Sequence, residues 1–211
     1  MRYTLTTEGT SDRLLVRHIE WLLERHSGVE FDGQWANPES FEHHDRDVGS
    51  RMREAMRFYP CDLLFVHRDA DNAGVDARSR EIKDAVAACG IDFPVVCVVP
   101  VRMTEAWLLA DESAIRQAAG NTKGRVPLSM PQVAGIERIA DPKALLDEIL
   151  VLASSATGRK RDQFKRKLSD AKQRVAGLVE DFDILRRLPA FLEFERNLVC
   201  ILQENGWGKL E

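Results

Sequence analysis

Residues 2–7 (RYTLTT) alternate apolar and polar positions around β-branched side chains, which predicts a short strand ending at Glu8-Gly9. The spacing then switches to helical. Leu14, Leu15, His18, Ile19, Leu22 and Leu23 share a face, which predicts a helix over 11–26, with Thr10 or Ser11 placed to cap it. Residues 28–35 read as a second strand. Val48, Met52, Ala55 and Met56 mark a weaker amphipathic helix over 46–58. The compact apolar run 61–67 (CDLLFVH), bounded by Pro60 and the polar loop RDADNAG, suits a strand buried on both faces. A helix over 74–89 stops at Gly90, and 93–99 (FPVVCVV) reads as a further strand closed by Pro100. Beyond Pro100 only helical patterns remain, over 104–119, 142–153, 161–180 and 189–204. The Gly- and Pro-bearing stretch 120–141 reads as an irregular connection.

Strands alternating with helices predict an α/β fold: a Rossmann-like parallel sheet of about four strands with crossover helices, followed by a mainly helical C-terminal extension. The expected division is an α/β unit over 1–111 and a helical extension over 112–211. No internal repeat or low-complexity tract interrupts it.

Ligands of open parallel sheets gather at the carboxyl ends of the strands. Glu8 follows the first predicted strand, Asp69 and Asp71 the third, and Glu105 the fourth. If the first and third strands are neighbours, Glu8 faces Asp69 and Asp71 across a small gap. Such carboxylates repel one another unless a cation offsets them or some stay protonated. Oxygen donors without Cys or His partners favour Mg2+ or Mn2+ over zinc. Each piece alone is ordinary. Asp-x-Asp before Asn72-Ala73-Gly74 also reads as a solvated turn, and Glu8-Gly9 as a plain strand-to-helix turn. Their combination at these strand ends is what singles them out. Arg68 is placed to hold a phosphate or to pair with the carboxylates. His67 reads as a buried hydrogen-bonded residue, Arg102 as a site residue or a surface charge, and Trp107, Leu108 and Leu109 as core. The run His43-His44-Asp45-Arg46-Asp47 has metal-like composition, but adjacent His side chains point apart.

The segments TLTTEGTSDRLLV and DLLFVHRDADNAG resemble the Toprim domain of topoisomerases, primases and the overcoming-lysogenization-defect nucleases. That domain carries Glu-Gly after its first strand and Asp-x-Asp after its third. VRMTEAWLLAD resembles a bacterial family of unknown function within the Toprim superfamily, and LRRLPAFLEFERNL is similar to that family's C-terminal Pro-x-Phe segment. The resemblance covers residues 1–111 and parts of the tail. It implies a Toprim-like fold and a metal-dependent nuclease. Glu8 would act as general acid/base or metal ligand, Asp69 and Asp71 as catalytic Mg2+ (or Mn2+) ligands, and Glu105 as an additional ligand. Gly9 would allow close backbone approach to a phosphate at the start of the first helix, with Thr10 and Ser11 adding hydroxyls.

Within that superfamily, a topoisomerase needs a Tyr nucleophile on a separate domain, and the only tyrosines are Tyr3 and Tyr59. A primase would add a zinc-binding Cys/His module, and none is present. What remains is a compact Toprim-like unit with a helical tail; the resemblance implies a nuclease, or a partner subunit beside an ATPase as in some Toprim proteins of phage defence, and the chain itself shows no Walker-type phosphate loop. The alternative from another class is a non-catalytic or partner-activated interaction subunit of a nucleic-acid-processing complex. An aspartyl-nucleophile phosphatase is a third reading, although that chemistry usually sets Asp-x-Asp after the first strand.

Charge alters this picture in one respect. The 211 residues carry a net charge of -4, but residues 1–110 hold 13 Lys+Arg against 19 Asp+Glu, and residues 111–211 hold 17 against 15. Residues 159–174 alone hold eight basic and two acidic residues. Lys160, Arg161, Lys165 and Arg166 are thus placed either to contact a phosphate backbone or to form a solvated helix face. The expected partner is nucleic acid, DNA in preference to RNA, with homo-oligomerisation left open. Four scattered cysteines, no apolar run of membrane-spanning length and no secretory pattern at the N-terminus lead to the expectation of a cytoplasmic protein without a membrane partner.

Overall fold

A computed structural model of the protein describes residues 1–42 and 47–209. The alternating N-terminal segment forms strand β1 (Arg2–Thr6), followed by helix α1 (Leu15–His26) and strand β2 (Asp32–Ala36). Helix α2 (Val48–Phe58), strand β3 (Leu63–His67), helix α3 (Val75–Cys89) and strand β4 (Val95–Val98) complete the α/β part. The four strands form one parallel sheet in the order β2-β1-β3-β4. β3 is buried at every residue. Its alternation sorts the two faces: Leu63 and Phe65 pack with α1, and Leu64 and Val66 pack with Val48 and Met52 of α2 and Ile82 of α3. Between β2 and β1 the approach is close. A Cβ on Gly33 would lie 2.3 Å from the Tyr3 hydroxyl, so only glycine fits there.

The remainder is helical: α4 (Glu112–Ala118), α5 (Pro142–Ser154), α6 (Gly158–Lys165), α7 (Leu168–Leu178) and α8 (Pro189–Glu204). Residues 1–111 and 112–211 share one core. Phe191, Phe194 and Leu198 of α8 and Val175 of α7 join the same apolar cluster as Leu5, Phe65 and Val96 of the sheet. Trp107 sits at its centre, nearly parallel to Phe194 at 6.0 Å between ring centroids and edge-on to Phe191 at 5.1 Å. Among the described residues, no helix is long and apolar enough to cross a membrane.

Several expected helices are divided, each for a local reason. The segment 11–26 begins as a 3-10 turn, Thr10–Leu14. Neither Thr10 nor Ser11 caps it. Asp12 Oδ2 takes the Gly9 N–H at 3.0 Å, so a carboxylate three residues on does the capping. The segment 104–119 breaks at Asp111, whose side chain accepts the Ala114 N–H and starts α4 after a 3-10 stretch, Thr104–Ala110. The segment 161–180 is two helices. α6 has no buried residue, whereas α7 buries Ala171, Lys172, Val175 and Ala176, so only α7 is pulled against the core.

His18 lies on the buried face of α1, its ring 4.3 Å from Phe182 and 5.5 Å from Trp107. Burial pushes its pKa down to about 3, against a hydrogen bond to the Leu14 carbonyl that opposes the shift. The folded protein therefore keeps His18 neutral while the unfolded chain protonates it near 6.5. Stability from this residue is full above pH 6.5 and falls on acidification toward about 3. Replacing it with Phe should remove that dependence. Between pH 6.5 and 5 the wild type should lose about 2 kcal/mol more than His18→Phe by urea denaturation.

Candidate active site

β1 connects outward to β2, and β3 connects the other way to β4, so the sheet reverses direction between β1 and β3. The crevice beyond the carboxyl ends at such a reversal is where open α/β sheets bind ligands. β1 and β3 are direct neighbours, with Thr6 opposite Val66. Glu8, two residues past β1, and Asp69, two residues past β3, therefore meet. Glu8 Oε2 accepts the Asp69 N–H at 3.2 Å, and Glu8 Oε1 accepts from Arg68. The expected juxtaposition of Glu8 with the Asp-x-Asp loop is present on the Asp69 side.

The carboxylates are distributed among protein cations. Arg68 joins Glu8 to Glu81 of α3 at 3.1 Å. Arg78, one turn earlier on α3, bonds Glu81 at 2.8 Å and Asp71 at 3.3 Å. The result is an ionic chain, Glu8–Arg68–Glu81–Arg78–Asp71, along the crevice. Asp71 adopts a left-handed backbone, φ 46°, which Asp tolerates better than most residues and which turns its carboxylate toward Arg78. Arg102 is also left-handed, φ 65°, and donates to Asn72 Oδ1 at 2.5 Å.

Asp69 is held from the interior. Its Oδ1 accepts the Thr104 N–H at 3.1 Å and lies 3.1 Å from His67 Nε2. The His67 ring is fully buried, with Nε2 also 3.1 Å from Thr104 Oγ1 and Nδ1 3.6 Å from Asp12 Oδ2. Burial works against charge on this imidazole, but the hydrogen bond to Asp69 and the charges of Asp12, Asp69 and Glu8 outweigh it and raise its pKa. The buried His67 ring thus lies between two carboxylates, in the order Asp12, His67, Asp69. His67 is buried and hydrogen-bonded as expected; its partners Asp12 and Thr104 were not expected. Part of this arrangement had a signal. His67 falls on the same face of β3 as Leu63 and Phe65, the α1 face, and Asp12 sits where that helix begins. Thr104 had none, because its position depends on how the chain leaves β4.

Other expected site residues lie elsewhere or are already engaged. Glu105 is not part of the carboxylate set. It is buried in the 3-10 stretch after β4, its Oε1 3.2 Å from Lys172 and 4.0 Å from Lys143, and Lys172 also lies 3.3 Å from Asp147. A buried carboxylate needs such a partner, which draws it toward α5 and α7. Gly9, expected to allow close backbone approach to a phosphate, has its N–H taken by Asp12. Ser11 lies 3.4 Å from Asp12 through its hydroxyl, its carbonyl accepts from Gln173 of α7 at 2.6 Å, and Thr10 is exposed. Lys160, Arg161, Lys165 and Arg166 are exposed on α6 and at its end. Arg161 and Lys165 line a separate groove against Val151 and Leu152 of α5, away from Glu8 and Asp69. Of the run 43–47, His43, His44, Asp45 and Arg46 lie outside the described residues.

Among the described residues, no three His, Cys, Asp or Glu side chains are gathered as a ready metal cluster. The donor chemistry nevertheless fits a hard dication. Glu8 and Asp69 offer carboxylate oxygens on adjacent loops, with the Thr104 hydroxyl beside Asp69 at 3.4 Å. Arg68 is the cation that a bound ion would have to replace at Glu8. No family model matches the chain, and no curated protein or solved structure is significantly similar to it.

Two outcomes follow from this geometry. Lys172→Ala leaves Glu105 buried without its ammonium and should cost about 3–5 kcal/mol in chemical denaturation, with Glu105→Gln/Lys172→Met recovering most of the loss. For His67, the raised folded pKa means that its contribution is full below the ordinary value of 6.5 and lost as pH rises through the folded value. Imidazole NMR should show His67 titrating above 6.5 in the wild type and lower in Asp12→Asn.

Proposed function

We propose that this chain is a Mg2+- or Mn2+-dependent phosphoryl-transfer enzyme, a Toprim-type nuclease hydrolysing phosphodiesters of nucleic acid, DNA in preference to RNA. One observation carries the reading: Glu8 and Asp69 meet at the carboxyl ends of β1 and β3, at the reversal point of a parallel sheet. The resemblance of EGTSD and RDADNAG to Toprim loops falls on these same two turns. Glu8 and Asp69 would hold the ion, with Asp71 joining from the same loop. The ion would supply Lewis-acid polarisation of the phosphodiester and an activated water.

The chain's own residues have defined tasks. Glu8 is partly exposed and is the carboxylate suited to move a proton to or from the reacting oxygens. Asp69 is held at Oδ1 by His67 and Thr104, and among the described residues no hydrogen bond is made to its Oδ2, the oxygen that would meet the ion. Arg68, once released from Glu8, would meet an incoming phosphate with a planar guanidinium. The exposed basic face of α6 would be a second, salt-sensitive contact with the polyanion.

A second reading is favoured by one feature. Arg68 already neutralises Glu8, so a partner that draws Arg68 away would switch the site on. On that reading the chain is a partner-activated subunit, with an ATPase in a phage-defence complex as the partner.

Supercoiled, linear and single-stranded DNA, and RNA, should be incubated with the full chain and Mg2+ or Mn2+. DNA cleavage should be abolished by chelator and reduced about 100-fold or more in Glu8→Gln and Asp69→Asn. Cleavage at the wild-type rate in both variants would contradict the assignment. Cleavage that appears only with a co-purified partner would select the second reading.

A further inference from the structure

β4 is the last strand of the sheet and pairs with β3 alone. The carbonyls of Pro94, Val98 and Pro100 accept from Leu64, Arg68 and Ala70 on the β3 side. The pleat therefore turns the N–H and C=O of Val95 and Cys97 outward, and no described residue hydrogen-bonds to them. Open edges are commonly blunted by a charge or a proline. The strand Val95-Val96-Cys97-Val98 has neither.

At Cys97 this edge opens on a cleft of about 830 Å3, with α3 on one side and α8 on the other. Its floor is apolar, with Cys97, Val101 and Ala190 contributing. Its rims are basic. Arg80 and Lys83 project from α3, Arg187 lies just before α8 and Arg196 at its middle; all four are exposed. The lining holds five Lys/Arg against three Asp/Glu, so the cleft is net positive. Two of its carboxylates are engaged: Glu137 accepts the Ala190 N–H at 3.0 Å, and Glu193 accepts from Asn197 at 3.2 Å. Lys83, Arg187 and Arg196 have no ion-pair partner among the described residues.

We propose that this cleft docks an extended, acidic segment of a partner protein, which adds to the sheet beside β4 as a fifth strand. Main-chain bonds to Val95 and Cys97 would supply affinity, and alternate side chains of the segment would face the α3 rim and the α8 rim. Charge selects the occupant. Two copies of this chain joined edge to edge would bring their Arg and Lys rims together, a like-charge arrangement. A nucleic acid has no peptide backbone to continue the ladder, and the apolar floor offers its bases no hydrogen bonds. The proposal uses none of the residues around Glu8 and Asp69, so it stands or falls apart from the nuclease reading.

The test is a fluorescent octapeptide of alternating valine and glutamate, titrated with the full chain by anisotropy. Three comparison ligands are the same peptide with lysine for glutamate, the acidic peptide N-methylated at alternate residues, and a single-stranded oligonucleotide. The acidic peptide should bind, with both altered peptides weakened about tenfold or more. Lys83→Glu and Arg187→Glu, at exposed positions, should each weaken it by a similar factor, and amide exchange at Cys97 should slow on binding. No binding of the acidic peptide at millimolar concentration would overturn the proposal, as would equal binding of the N-methylated peptide. Unchanged exchange at Cys97, binding of the oligonucleotide alone at this edge, or dimerisation through β4 would do the same.

Discussion

Glu8 ties together the ends of two neighbouring strands, with one carboxylate oxygen on Arg68 and the other on the Asp69 amide. The contact exists because β1 and β3 pair directly and in parallel, so their carboxyl ends open on the same side. Everything else around the crevice answers the resulting charge. Arg68 and Arg78 carry it outward along α3 to Glu81 and Asp71, and the buried His67 ring lies beneath it between Asp69 and Asp12. The acid excess of the first half of the chain is therefore partly balanced within the crevice. The cations that balance it are also the groups that an incoming ion or phosphate would displace or meet.

The helical part is joined to this arrangement by the core as well as by charge. α8 places Phe191 and Phe194 against Trp107, and α7 sends Lys172 to the buried Glu105 and Gln173 to the carbonyl of Ser11. Thr104, which holds Asp69, immediately precedes Glu105. Lys172 and Thr104 thus lie on one continuous path from α7 to the candidate site.

Much of this was legible in the chain. Alternation at 2–7, apolar runs at 61–67 and 93–99 and helical spacing located β1, β3, β4 and α1 to α3, because a strand buried on both faces, such as Leu63–His67, leaves a short apolar run; the strand expected over 28–35 lies at Asp32–Ala36. Glu8 and Asp69 were legible because strand ends in a parallel sheet open on one side. What was not legible depended on local competition for one amide, on a partner distant in sequence and on burial. Asp12 displaced Thr10 and Ser11 as the cap because its carboxylate reaches the Gly9 amide. Glu105 has the chemistry of a ligand, but a lysine 67 residues away lies within 3.2 Å of it. The break between α6 and α7 arises because one is solvated and the other buried, and composition alone reads both as one charged helix.

The central claim is that the Glu8–Asp69 crevice receives a divalent ion in exchange for Arg68. Crystals of the full chain grown with Mn2+ and measured at the manganese absorption edge test it most directly. The account predicts an anomalous peak bounded by carboxylate oxygens of Glu8 and Asp69, with the Arg68 guanidinium moved off Glu8. An ordered crevice in which Arg68 still holds Glu8, with manganese elsewhere or absent at saturating concentration, would contradict it.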